Sequence, residues 1–183
     1  MNKYFLITKA DDGGRPILHD AMERRINKLG KKNIRLELNL RKYLYKVVFN
    51  PFFYLLVGFF FIKKTINYIF FPRKRLVNIN KIEVERYIIA AVLRDPSACM
   101  HRSIYIKRYV RYSIKGVYIY MVAFILKNKV EFVYLHDTSY LYGIISDYFS
   151  IRGGKVFLKG YPRNIVLCNK KNYFYYLYQV KNF

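Results

Sequence analysis

The stretch that decides the expected fold is EFVYLHDTSYLYGIISDYFSIRGGKVFLKGYP, Glu131 to Pro162. A short apolar run, Phe132 to Leu135, stops at the polar cluster His136-Asp137-Thr138-Ser139. A helical pattern follows, from Tyr140 to about Ile151. Arg152-Gly153-Gly154 closes it, and a second apolar run starts at Val156. Strand, polar turn, helix, glycine stop and strand, in that order, predict one βαβ unit with a right-handed crossover. Ligands of open α/β sheets bind beyond the carboxyl ends of the strands. His136 to Ser139 falls there, at the start of a helix whose unpaired N–H groups favour an anion.

The beginning of the chain repeats the pattern. Tyr4 to Thr8 reads as a buried strand and Asp11-Asp12-Gly13-Gly14-Arg15-Pro16 as a loop. A helix is expected from about Pro16 to Leu29, closed by Gly30. Ile34 to Leu40 alternates apolar and polar residues as a strand does. Two such units predict a Rossmann-like parallel sheet flanked by helices, with strands near 4–8, 34–40, 131–135 and 155–159. The 183 residues fit a single α/β domain.

The formal net charge is +23, from 34 Lys and Arg against 11 Asp and Glu. Such a balance suits nucleic acid or an anionic membrane surface. The basic residues are spread along the chain, and 54% of residues are hydrophobic, with 20 Tyr and 15 Phe. Basic residues interleaved with apolar, aromatic stretches favour the membrane surface. No helix-turn-helix, zinc-finger or RNP signature points to nucleic acid. Cys99 and Cys168 alone make neither a zinc site nor a disulfide framework. The N-terminus lacks the apolar core and cleavage site of a signal peptide.

Between the two α/β patterns lies VVFNPFFYLLVGFFFI, Val47 to Ile62, without a charge. Lys42 and Lys46 precede it, and Lys63-Lys64 follow. A spanning helix needs about 20 apolar residues, and Asn50-Pro51 interrupts this run. Three readings stand: an interfacial insertion over 47–71, a buried core helix, and a transmembrane span. The interfacial reading leads, because Thr65 to Arg75 extends the aromatic and basic character that suits the headgroup level. Asn78 to Arg94 reads as a short strand or hairpin leading into a helix that ends near Asp95-Pro96. Two helices are expected over Ile104 to Tyr112 and Val117 to Leu126, the second apolar nearly all round and therefore buried.

Lys81 to Arg94, KIEVERYIIAAVLR, and Val133 to Gly143, ending in Tyr-Leu-Tyr-Gly, resemble stretches of bacterial surface-polysaccharide (capsule) biosynthesis proteins similar to GT-B-type glycosyltransferases. In the first stretch Ile82, Val84, Ile88, Leu93 and Arg94 agree in type. The family's glycines fall on Lys81 and Glu85, and its acidic positions on Arg86 and Ala90. The resemblance implies a domain of the GT-B N-terminal type, the acceptor-side half of a transferase. It also implies sugar transfer from a nucleotide-sugar to a lipid-linked saccharide acceptor. A second nucleotide-sugar domain does not fit into this length, so a truncated or split transferase, a fragment completed by a partner chain, or a degenerate copy is expected.

His136 and Asp137 are the candidate catalytic pair, since a His beside an acid serves as general base toward a hydroxyl. Asp137, Thr138 or Ser139 equally reads as a helix cap. Candidate substrate-binding residues are Asp11, Asp12, Gly13, Gly14, Arg94, Thr138, Ser139 and Tyr140. Asp11 to Gly14 follows the first strand and is expected on the same sheet edge as His136. Its glycines allow close approach to a ligand, but it is no P-loop. No metal or cofactor is expected. The sequence thus predicts a cytoplasmic, peripheral protein at the inner face of the cell membrane. The alternatives are a non-enzymatic nucleic-acid-binding protein and a small integral membrane protein.

Overall fold

The computed structural model describes residues 4–8, 34–37, 40–70, 76–94, 96–128, 130–135, 140–152, 155–159 and 165–168. Five short strands and six α-helices are placed among them: β1 (Tyr4–Thr8), β2 (Ile34–Glu37), α1 (Leu44–Val48), α2 (Pro51–Phe70), α3 (Val84–Leu93), α4 (Pro96–Met100), α5 (Arg102–Leu126), β3 (Val130–Leu135), α6 (Gly143–Ile151), β4 (Lys155–Lys159) and β5 (Ile165–Cys168). The chain divides into two compact units. One comprises residues 1–39, 126–137 and 149–183, and the other 40–125 and 138–148.

The first unit holds the strands, in the order β2-β1-β3-β4-β5. β1 pairs parallel with β2 and β3, as β3 does with β4, whereas β5 runs antiparallel to β4. Tyr4 faces Ile34, and Phe132 faces Lys155. The expected first helix lies outside the described residues.

The second unit is built from helices and has its own core. Asn50 and Pro51 start α2 rather than interrupting the apolar run. The Asn50 side-chain oxygen accepts from the Phe52 N–H at 3.0 Å, and proline fits the first helical turn, where its missing N–H is not needed. Two consecutive residues of positive φ, Asn80 (46°) and Lys81 (71°), close a tight turn between Ile79 and Ile82. The turn leads into α3, which buries Val84, Ile88, Ala91 and Val92 along one stripe, as a 3.6-residue period requires. α5 is one helix, not two. Its second half buries Val117, Ile119, Tyr120, Met121, Val122 and Ala123. A Cβ on Gly116 would lie 3.2 Å from Ile88 Cγ1, so glycine there lets α3 and α5 approach closely.

The expected architecture, a single Rossmann-like domain of the GT-B N-terminal type, is corrected by these observations. Where side chains are described, the chain is helical almost throughout, and its largest core belongs to the helical unit. The decisive element is α6. As the crossover helix of a βαβ unit it should cover a sheet face. Instead residues 138–148 belong to the helical unit. Tyr148 meets Tyr120 of α5 edge-on at 5.5 Å. The Tyr87 hydroxyl of α3 donates to Asp147 at 2.8 Å. Gly143 lies against the Tyr87 ring so closely that a Cβ would overlap it.

Candidate functional site

The site grows out of α2. Its residues Phe53, Phe60 and Asn67 recur every seven positions and are buried, forming a seam against the helical unit. At roughly 100° per residue, a broad arc beside and opposite the seam carries Phe52, Leu55, Phe59, Ile62, Ile66, Ile69 and Phe70. All seven are exposed, by 42% at Phe52 to 69% at Leu55. Phe52 lies 6.1 Å from Phe124, and Lys64 sits over the Tyr109 ring. α2 and α5 therefore run antiparallel. α5 carries a second exposed stripe, Ile106, Val110 and Ile114, flanked by exposed Lys107, Arg111 and Lys115.

The inward lysine of α2 meets a buried acid. Glu85 is fully buried on α3 and forms an ion pair with Lys64. It also accepts from the Val77 N–H at 2.7 Å and the Tyr109 hydroxyl at 2.8 Å. Four segments meet at one carboxylate, which fixes the rotation of α2 about its own axis. A second polar contact, Tyr87 to Asp147, holds α6. Burial raises the Asp147 carboxyl to about 6, against the lowering effects of the Tyr87 hydrogen bond and of Arg86.

The outward lysine borders a groove of about 590 Å³. One wall is Phe52, Leu55, Leu56 and Phe59 of α2; the lip is Lys63, Asn78, Ile79, Asn80 and Lys81. Lys63 donates to the Asn78 carbonyl at 3.3 Å and lies 5.4 Å from the centre of the Phe59 ring. The Asn80 amide donates to the Tyr120 hydroxyl at 2.6 Å, tying the turn to α5. The Asn78 side-chain oxygen is buried and has no donor among the described residues.

Most residues singled out in the sequence fall elsewhere. Asp11, Asp12, Gly13, Gly14, His136, Asp137, Thr138 and Ser139, and with them the expected convergence on one sheet edge, lie outside the described residues. Tyr140 opens a short 3-10 turn, Tyr140–Tyr142. Arg94 is exposed at the end of α3. Among the described residues no cluster of His, Cys, Asp or Glu could hold a metal. The stretch 81–94, on which the expected resemblance rested, contributes Ile82 at the tight turn and Val84 and Ile88 on α3 to the core, and the two helical positions are ones that any helix packed on one face fills with apolar residues. In the sequence, Glu85 reads only as a missing glycine of that resemblance. The groove's signal is Ile79-Asn80-Lys81-Ile82, a tight-turn pattern with lysine where glycine is usual.

Among the described residues two helices, Pro51–Phe70 and Arg102–Leu126, are long and apolar enough to cross a membrane. They differ in setting: 17% of the apolar 18-residue stretch of the first is buried in the protein against 50% of that of the second. Comparison with protein families, with curated proteins and with solved structures finds no match to this chain.

Proposed function

We propose that this protein is a peripheral membrane-surface protein on the cytoplasmic face, and that its helical unit lays α2 in the interface of an anionic leaflet. The observation that carries the reading is the broad arc of seven exposed apolar side chains on α2 outside the packed seam. A soluble monomer rarely exposes so large a contiguous apolar face. Each half-exposed side chain gains on the order of 1 kcal/mol when the interface covers it. Basic side chains near the surface add about 1 kcal/mol each.

A span is the less favourable arrangement. The seam of Phe53, Phe60 and Asn67 runs nearly the length of α2, so threading the helix through a bilayer would strip it from the unit or carry the unit along. The first half of α5 holds Arg102, Lys107, Arg108, Arg111 and Lys115. Each would cost roughly 2.5–3.5 kcal/mol at the bilayer centre. The reading assigns membrane binding and makes no use of sugar transfer.

Flotation of the purified chain with vesicles tests it. Binding should be stronger to phosphatidylcholine containing a third phosphatidylglycerol than to phosphatidylcholine alone. High salt should release part of the protein, and Leu55→Glu with Ile62→Glu should abolish flotation. Retention in cell membranes after both salt and alkaline carbonate would establish a span instead. A soluble dimer that ignores vesicles, or steeply salt-dependent binding to random oligonucleotides alone, would replace the reading.

A further inference from the structure

The groove between α2 and the 78–81 turn has the two-sided chemistry of a single amphiphile. Its apolar wall, Phe52, Leu55 and Phe59, belongs to the same exposed face that meets the membrane. Its polar end carries two ammonium groups, Lys63 and Lys81. From Phe52 to Lys63 the helix rises roughly 16 Å, enough for a stretch of acyl chain to lie along it. The volume is within the range of small-molecule sites.

The backbone supplies an independent observation. Lys81 sits at φ 71°, a conformation that side-chain-bearing residues rarely adopt and for which a tight turn favours glycine after asparagine. The turn therefore carries a lysine at a backbone position where glycine is more stable. The two-residue turn demands the positive φ, and non-glycine residues held in such conformations cluster at ligand sites. Lys63 is steered toward the same lip by its hydrogen bond to the Asn78 carbonyl.

We propose that this groove holds one anionic phospholipid, its phosphate between Lys63 and Lys81 and an acyl chain along Phe52, Leu55 and Phe59. The proposal rests on the membrane-surface reading and adds an individual lipid site to it. The occupant is a lipid rather than free phosphate because the apolar wall is larger than the polar lip and continues into the membrane-facing surface.

The experiment uses the full chain, spin-labelled phosphatidylglycerol and phosphatidylcholine in vesicles, and flotation alongside. The protein should immobilise a fraction of the labelled phosphatidylglycerol and not the labelled phosphatidylcholine. Lys81→Gly, which keeps the turn, and Lys63→Ala should each reduce that fraction at least threefold. Lys107→Ala with Arg111→Ala removes more charge than either groove variant, and should weaken flotation while leaving the immobilised fraction per bound protein unchanged. Equal loss from the groove variants and this control pair would show that charge alone acts, and would overturn the site. Displacement of the labelled lipid by millimolar inorganic phosphate at constant ionic strength would overturn the lipid as occupant. Flotation that survives with no immobilised lipid refutes the groove and leaves the membrane reading standing. Loss of vesicle binding by the unaltered chain refutes both.

Discussion

Replacing Lys64 by Met should destabilise the helical unit far more than the same change at Lys63, although the two are neighbours in sequence. Lys64 is the cation facing Glu85, whose side chain is 0% exposed while that of Lys64 is 38% exposed. Removing one partner of a fully buried pair costs about 3–5 kcal/mol, because the other charge stays buried. Solvent reaches Lys64 and screens the pair, and Val77 and Tyr109 still donate to the carboxylate at 2.7 and 2.8 Å. The expected loss is therefore about 2 kcal/mol. Lys63→Met removes only a 3.3 Å hydrogen bond and a cation–π contact at a groove edge, and should cost about 0.5–1 kcal/mol. Glu85→Gln in the Lys64→Met background removes the stranded charge while keeping an acceptor for Val77. It should recover about 1–2 kcal/mol of the loss, a coupling expected of residues in one network. Urea unfolding of the full chain in mild detergent, followed by far-UV circular dichroism, measures all four corners of the cycle. If Lys64→Met stays within about 0.5 kcal/mol of the unaltered chain, or the double variant is no better than the single, Glu85 does not depend on Lys64 and the polar junction is misread.

Three further outcomes are expected. Gly143→Ala drives a methyl into the Tyr87 ring, 2.7 Å from Cδ1, and the ring is held by its hydrogen bond to Asp147, so the unfolding midpoint should fall by the equivalent of about 1–3 kcal/mol. Asp147 is raised from 3.8 to about 6, chiefly by burial; the folded state thus binds its proton more tightly, stability is highest below pH 4 on this account, and it declines by about 2–3 kcal/mol as pH rises toward 6 and beyond. A pH series of urea midpoints should show that decline, and Asp147→Asn should flatten it. Lys81→Gly relieves the positive φ and should raise stability by up to ~1 kcal/mol, opposite in sign to its effect on lipid immobilisation.

The local elements were legible in the sequence to different degrees. Short apolar runs mark residues 4–8 and, after the glycine stop, 155–159, and short strands lie there. The period of 84–93 marks a helix and its buried stripe. What the period does not carry is the destination of a buried face. Ile144, Ile145 and Tyr148 are buried in α6, as a crossover helix requires, yet a helix stripe fits a helical partner as well as a sheet. That ambiguity overturned the expected fold. The expected division into helices over 104–112 and 117–126 is not observed, although Ser113 and Gly116 are both weaker helix formers than alanine. In α5 the Ser113 hydroxyl bonds back to the Tyr109 carbonyl at 2.7 Å, and Gly116 serves close packing against Ile88. Asn50-Pro51, read as an interruption, is a cap. The catalytic candidates His136 and Asp137 followed from the sheet-edge rule, and they lie outside the described residues.

The pair Lys63-Lys64 shows why the candidate site needed the structure. In the sequence they are two identical cations ending an apolar run, equally fit to anchor a helix at a headgroup layer. Successive helical residues point about 100° apart, so the two lysines flank the packed seam on different sides and meet different partners. The phase is set by Phe53, Phe60 and Asn67, the seam that turns Lys64 toward Glu85. The same phase places Lys63 at the groove and Ile62 and Ile66 outward. The Lys64–Glu85 pair thereby reinforces the phase that the seam sets for the exposed side of α2. Weakening Glu85 or Lys64 should loosen the rotation of α2 as well as the stability of the unit. If so, Glu85→Gln should reduce lipid immobilisation at the groove even though Glu85 does not line it, and under conditions where the variant remains folded. Unchanged immobilisation in the folded variant would show that the apolar seam alone orients the helix.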